Sequence, residues 1–142
     1  GLMGAVAEAA AAAGGARLGV IPQHLIAREA AHGSGPREAI VTETMHERKK
    51  VMFANSDAIV VLPGGAGTLD EFFEVLTWAQ IGLHGKPIVL VDVQGYWSPL
   101  VALIEQVIAA GFAAAGLREL FTVVPDVPAL EVALRARLNG RG

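Results

Sequence analysis

The sequence contains no cysteine, and that absence excludes disulfides, thiolate zinc sites and thiol nucleophiles together. Charge is also scarce, at 18% of residues against an apolar fraction of 53%. A chain of this balance folds around a core instead of remaining solvated. Positive charge is not in excess: 11 Lys and Arg stand against 14 Asp and Glu, a formal net charge of −3. A surface that coats nucleic acid is therefore not expected, although a small anion site depends on where charges sit and not on their sum. Apolar runs are too short or too interrupted to span a bilayer, so no membrane partner is expected either. The Ala-rich beginning lacks a basic leader and carries Glu8; it does not read as a signal peptide, and a soluble cytoplasmic protein is the expectation.

A chain of 142 residues has room for one domain with one core. It opens at Gly1, inside what reads as a turn entering a helix, so the domain is expected to be N-terminally incomplete here. Strong helix formers over residues 5–13 predict a helix that Gly14 and Gly15 stop. Residues 17–22 read as a short buried strand and 23–36 as a surface connection, partly helical. Residues 38–42 are ambiguous between strand and loop. A helix is predicted over 44–55, followed by the unbroken apolar run AIVVL at 58–62, a buried parallel-type strand. After a glycine-rich turn at 63–68, a helix is predicted over 69–81, with Leu69, Phe72, Phe73 and Leu76 as its core stripe. Strand 87–92, helix 97–110, strand 122–125 and helix 127–138 complete the chain. Apolar strands alternating with helices predict an α/β fold: a Rossmann-like, doubly wound parallel sheet flanked by helices, as a single nucleotide-binding domain over residues 1–142.

Two segments carry chemistry. The first is PGGAGTLDE at residues 63–71, directly after the AIVVL strand. In an open α/β sheet, ligands bind beyond the carboxyl ends of the strands. Three glycines let the backbone turn sharply and approach a ligand without Cβ clashes. Successive N–H groups and the start of the next helix then form a concave anion site. A P-loop would need Gly-Lys-Ser/Thr, and the dinucleotide fingerprint would need glycine where Asp70 stands. The cradle is thus of another type. Two blander readings stand beside it: Thr68 with Glu71 also spells a helix capping box, and such turns often only make a tight corner.

The second segment is MHERKK at residues 45–50. On a helix, Met45, Arg48 and Met52 are spaced to share a face. Arg48 could bridge a phosphate or pair with a carboxylate; the alternative is a solvated basic helix face.

Together, MHERK, AIVVLPGGAGTLDE and TWAQIGLHGKPIVLVD resemble the Lonely Guy family, whose members are cytokinin-type nucleoside 5′-monophosphate phosphoribohydrolases. The opening GLMGAVA resembles that family's earlier glycine-rich turn, which normally follows two strands absent from this sequence. The resemblance implies a catalytic Arg48 and a catalytic Glu71. It also implies a phosphate loop of Gly64, Gly65, Gly67 and Thr68, with Met45, Lys49 and Glu74 in the same pocket. It further implies a nucleoside 5′-monophosphate substrate, a homodimer, and no metal or organic cofactor. The wider family includes non-catalytic carriers of nucleotide-like cofactors, such as molybdenum-cofactor carriers, which would share the phosphate site; the joint presence of Arg48 and Glu71 favours the enzyme. Relatives are often described as lysine decarboxylases. That chemistry needs a Schiff-base lysine with a partner for the ring nitrogen, and the lysines are Lys49 and Lys50 in the basic helix and Lys86 in a turn. His24, His32, His46 and His84 have no metal-ligand spacing and read as structural or surface residues.

Overall fold

The computed structural model describes residues 1–30 and 38–139. The chain divides into two compact units, residues 1–56 and 57–142. Both are built from parallel strands and helices, so the α/β class with parallel sheets flanked by helices holds.

In the first unit, helix α1 (Leu2–Ala12) precedes strand β1 (Leu18–Pro22). A single 3₁₀ turn and the short helix α2 (Ile26–Ala30) form the described part of the connection; residues 31–37 of the predicted connection, His32 among them, lie outside the described residues. Strand β2 (Glu38–Thr42) resolves the ambiguous segment. It pairs in parallel with β1 along its full length, from Leu18 opposite Glu38 to Pro22 opposite Thr42. Isolated propensity could not decide that, because the partner supplies the ladder. Helix α3 (Met45–Ala54) closes the unit.

The second unit is a three-stranded parallel sheet, ordered β3 (Ile59–Val61), β4 (Ile88–Val91) and β5 (Thr122–Val124). Every residue of β4 is buried, as its unbroken apolar run requires of a central strand. Alternate side chains leave a strand on opposite faces. Val89 and Val91, with Val124, pack on Leu130 and Leu134 of helix α6 (Val127–Asn139). Helix α5 (Ser98–Ala109) contributes Leu100 and Ile104 to the core.

Helix α4 (Ala66–Gln80) follows β3 and differs from expectation in two ways. It starts three residues earlier than the glycine content suggested, so Gly67 and Thr68 belong to its first turn and not to a loop. Its buried face is Phe72, Val75 and Leu76, while Phe73 is 39% exposed. The earlier start does not change the helical phase, but Phe72 alone takes the core position, edge-on to Phe121 at 5.6 Å, and Phe73 is turned outward. The C-terminus of α4 closes as expected. Gly82 adopts φ +79°, and the N–H groups of Gly82 and Leu83 donate to Ala79 and Trp78 carbonyls at 3.0 and 2.9 Å. This is the double bond pattern of a left-handed glycine cap. His84 then ties the turn to the helix: it accepts the Lys86 N–H at Nδ1 (3.0 Å), so Nε2 carries the proton donated to Val75 O (2.8 Å). His84 is thus structural, and His24 and His46 are exposed.

Candidate active site

The glycine-rich turn leaves the carboxyl end of β3 and enters α4 through Gly65, its N-cap, which has no side-chain cap bond. The N–H groups of residues 66–68 have no carbonyl one turn behind them. Leu69 N–H is the first to close a helical bond, onto Gly65 O at 3.1 Å. No acidic side chain occupies the first turn, so the positive end of the helix dipole is left uncompensated by its own sequence.

The glycines act through space and not through unusual backbone angles. None of Gly64, Gly65 and Gly67 has positive φ, which corrects the expectation of a turn sharpened by glycine conformation. At Gly64 a Cβ would collide with Oγ1 of Thr68 and come within 2.9 Å of its Cβ, so the Thr68 side chain folds back over the turn. At Gly65 and Gly67 a Cβ would meet nothing within 4 Å. Their faces are open, as close approach of a ligand to the backbone requires.

The capping-box reading of Thr68 and Glu71 fails. Thr68 is the third residue of the helix, and Glu71 lies beyond its first turn. The tetrad with that role is Thr44 with Glu47 on α3. The Thr44 side chain accepts the Glu47 N–H at 3.0 Å, and Glu47 Oε2 accepts the N–H of Glu43 at 2.8 Å. Glu47 of MHERK is therefore a capping residue, and Glu71 is released from that explanation. Glu71 is half-buried, and Glu74, three residues on along the same helix face, has its Oε1 out of contact with solvent.

A neighbouring loop shares this end of the sheet. β4 lies beside β3 in parallel, so the segment after β4 emerges next to the glycine turn. Asp92 anchors that segment. Its Oδ1 accepts the Trp97 N–H at 2.5 Å, its Oδ2 the Ser98 hydroxyl at 2.9 Å, and its own N–H donates to Val124 O at 2.7 Å. Gln94 (φ 53°) and Gly95 (φ 74°) turn the chain through the left-handed region, a strained position for glutamine. Beyond them the Tyr96 hydroxyl donates to Gly64 O at 2.7 Å. Neither Asp92 nor Tyr96 was singled out from the sequence.

In the first unit, Arg48 is half-buried, and its Nε donates to Val20 O of β1 at 2.8 Å. Lys49 is half-buried, while Met45 and Met52 are each 40% exposed. The Arg48 guanidinium thus bonds the backbone of β1. The structure brings Gly64, Gly65, Gly67, Thr68, Glu71 and Glu74 together in the second unit; Met45, Arg48 and Lys49 share α3 in the first.

Residues 3–134 match the family model described as possible lysine decarboxylase. The chain is 47% identical over 130 residues to a probable cytokinin riboside 5′-monophosphate phosphoribohydrolase of Oryza sativa subsp. japonica, covering 92% of this chain and 57% of that protein. It is 44% identical over 137 residues to a cytokinin riboside 5′-monophosphate phosphoribohydrolase of Rhodococcoides fascians, covering 96% and 69%. A protein of the same name from Arabidopsis thaliana is 42% identical over 136 residues, covering 96% and 59%. The chain therefore spans 57% to 69% of the length of these relatives. With glycine turn, uncapped helix and α/β frame all lying inside the matched span, the chain belongs to the possible lysine decarboxylase family, that of the Lonely Guy proteins.

Proposed function

We propose that this chain hydrolyses the N-glycosidic bond of purine nucleoside 5′-monophosphates of the AMP or N6-substituted AMP type, releasing free base and ribose 5-phosphate. The observation that carries the reading is the start of α4: a helix N-terminus with no side-chain cap, open glycine faces, and Glu71 and Glu74 one turn further on. The names of the relatives support the same substrate class.

In this reading the 5′-phosphate is held by the N–H groups of the Gly65 and Gly67 region and by Thr68. Binding energy from that remote group positions the sugar for reaction. The C1′–N bond breaks through an oxocarbenium-like sugar, which a nearby carboxylate stabilises; Glu71 has this role, and Glu74 supports the ribose side. Water adds its oxygen to C1′, and its protons end on ribose and on the departing base. Arg48, with Met45 and Lys49, is assigned by the family resemblance, Arg48 holding phosphate or keeping a carboxylate ionised. No step calls for a cofactor. A lysine Schiff base is not supported, because Lys49 and Lys50 lie on α3 and Lys86 in the turn tied by His84.

We further infer a cytoplasmic homodimer. Helix α1 has no buried residue and exposes Leu2, Met3 and Val6, apolar surface that a second copy would cover. Among the described residues no helix is long and apolar enough to cross a membrane. Light scattering on the complete protein should read two subunits; a monomer at micromolar concentration contradicts the dimer.

Incubation with AMP and with N6-isopentenyl AMP tests the activity, with chromatography of the products. Free base and ribose 5-phosphate in equal amounts are expected. Binding of both nucleotides without release of base would leave the carrier reading in its place.

A further inference from the structure

The segment after β4 has features that the reaction does not use: a strained glutamine, a carboxylate committed to the Trp97 N–H and the Ser98 hydroxyl, and the only tyrosine in the chain. All three serve one contact, Tyr96 Oη to Gly64 O at 2.7 Å, across 32 residues. A trans peptide sets its C=O and N–H on opposite sides of one rigid plane. Holding the Gly64 carbonyl therefore also fixes the direction of the Gly65 N–H, away from Tyr96. The other side of the same turn is held too, since the Thr68 side chain lies against the position where Gly64 would carry a Cβ. Tyr96 is itself braced: its ring meets buried Trp97 edge-on at 4.9 Å, and Trp97 N–H is held by Asp92.

We propose that Tyr96 is a positioning residue of the phosphate cradle, its hydroxyl clamping the Gly64–Gly65 peptide so that the Gly65 N–H is presented to the 5′-phosphate. This rests on the phosphate-binding reading of the glycine turn. Tyr96 is half exposed, so its bond competes with water and adds little to folding; its effect falls on a donor that must be preorganised for a charged ligand. The gain is specific to ligands that carry the phosphate.

The test compares the wild-type full-length protein with Tyr96→Phe, which removes only the hydroxyl, by calorimetric titration with AMP and with adenosine. The expected result is an AMP-to-adenosine affinity ratio about tenfold lower in the variant, corresponding to about 1.4 kcal/mol. In the assay the same change should appear in KM for AMP more than in kcat. An unchanged ratio overturns the proposal, including the case in which both affinities fall together, as loosening of the whole loop would produce. Because the readout is binding, it holds even where base release fails and only the hydrolase reading is lost. A wild-type ratio near one overturns the cradle and the role of Tyr96 together.

Discussion

Helices α3 and α4 are each marked in the sequence by the same tetrad, Thr44 with Glu47 and Thr68 with Glu71, and the two begin differently. In α3 the tetrad stands at the N-cap, where threonine and glutamate satisfy backbone donors, and an acidic residue sits in the first turn against the helix dipole. In α4 the tetrad is displaced three residues inward, a glycine takes the N-cap, and neither a cap nor an acidic side chain faces the donors. The first arrangement favours stability of the helix end. The second forgoes that and leaves a positive, sterically open N-terminus, as anion binding requires. Uncompensated donors in α4, beside a neighbour of the same chain that compensates its own, are the physical argument for a ligand there.

The sharpest way to break this contrast is Glu71→Gln, since Glu71 is free of the capping role that Glu47 performs. Turnover of AMP should fall about 10²–10³-fold, in the range for removing a group that stabilises transition-state charge, with KM little changed. Wild-type kcat in the folded variant, checked by steady-state kinetics, would return Glu71 to a merely structural role. A smaller pair of effects compares the helix starts directly. Thr44→Ala should lower unfolding stability by about 1 kcal/mol through loss of a side-chain cap. Gly67→Ala should raise stability by up to about 1 kcal/mol, because alanine is the better helix former and its Cβ meets nothing within 4 Å. The same methyl stands where the ligand approaches, so AMP affinity should drop about tenfold. Denaturant titration and calorimetry read the two quantities, and a stabilised Gly67→Ala with intact affinity would show that the open face is unused.

Much of this is legible in the sequence, and each exception has its own physical cause. Strand β4 was plain because a central strand is buried on both faces and reads as an unbroken apolar run. The start of α4 lies earlier than propensity places it, because glycine is a poor helix former in the interior, whereas in a first turn the donors are unsatisfied in any case. Glycine content therefore places Thr68 in the turn, whereas the tetrad that caps a helix is the one at Thr44. Spacing alone cannot separate the adjacent Phe72 and Phe73; packing against Phe121 selects Phe72 for the core. Tyr96 went unseen because its partner is 32 residues away, and only the pairing of β3 with β4 brings the two turns side by side. A signal was present in the Gln-Gly turn directly after a buried strand, at the sheet end where ligands bind.

The central claim is that the N-terminus of α4 recognises a phosphate dianion. Charge-assisted hydrogen bonds contribute about 1.5–3 kcal/mol each. Two of them are worth roughly 3–6 kcal/mol, about a hundredfold to more than ten-thousandfold in specificity. The direct measurement is kcat/KM for AMP against adenosine under identical conditions, on the complete protein. A ratio of at least about one hundred in favour of AMP is predicted, while comparable values would mean that the glycine turn is only a tight corner between β3 and α4.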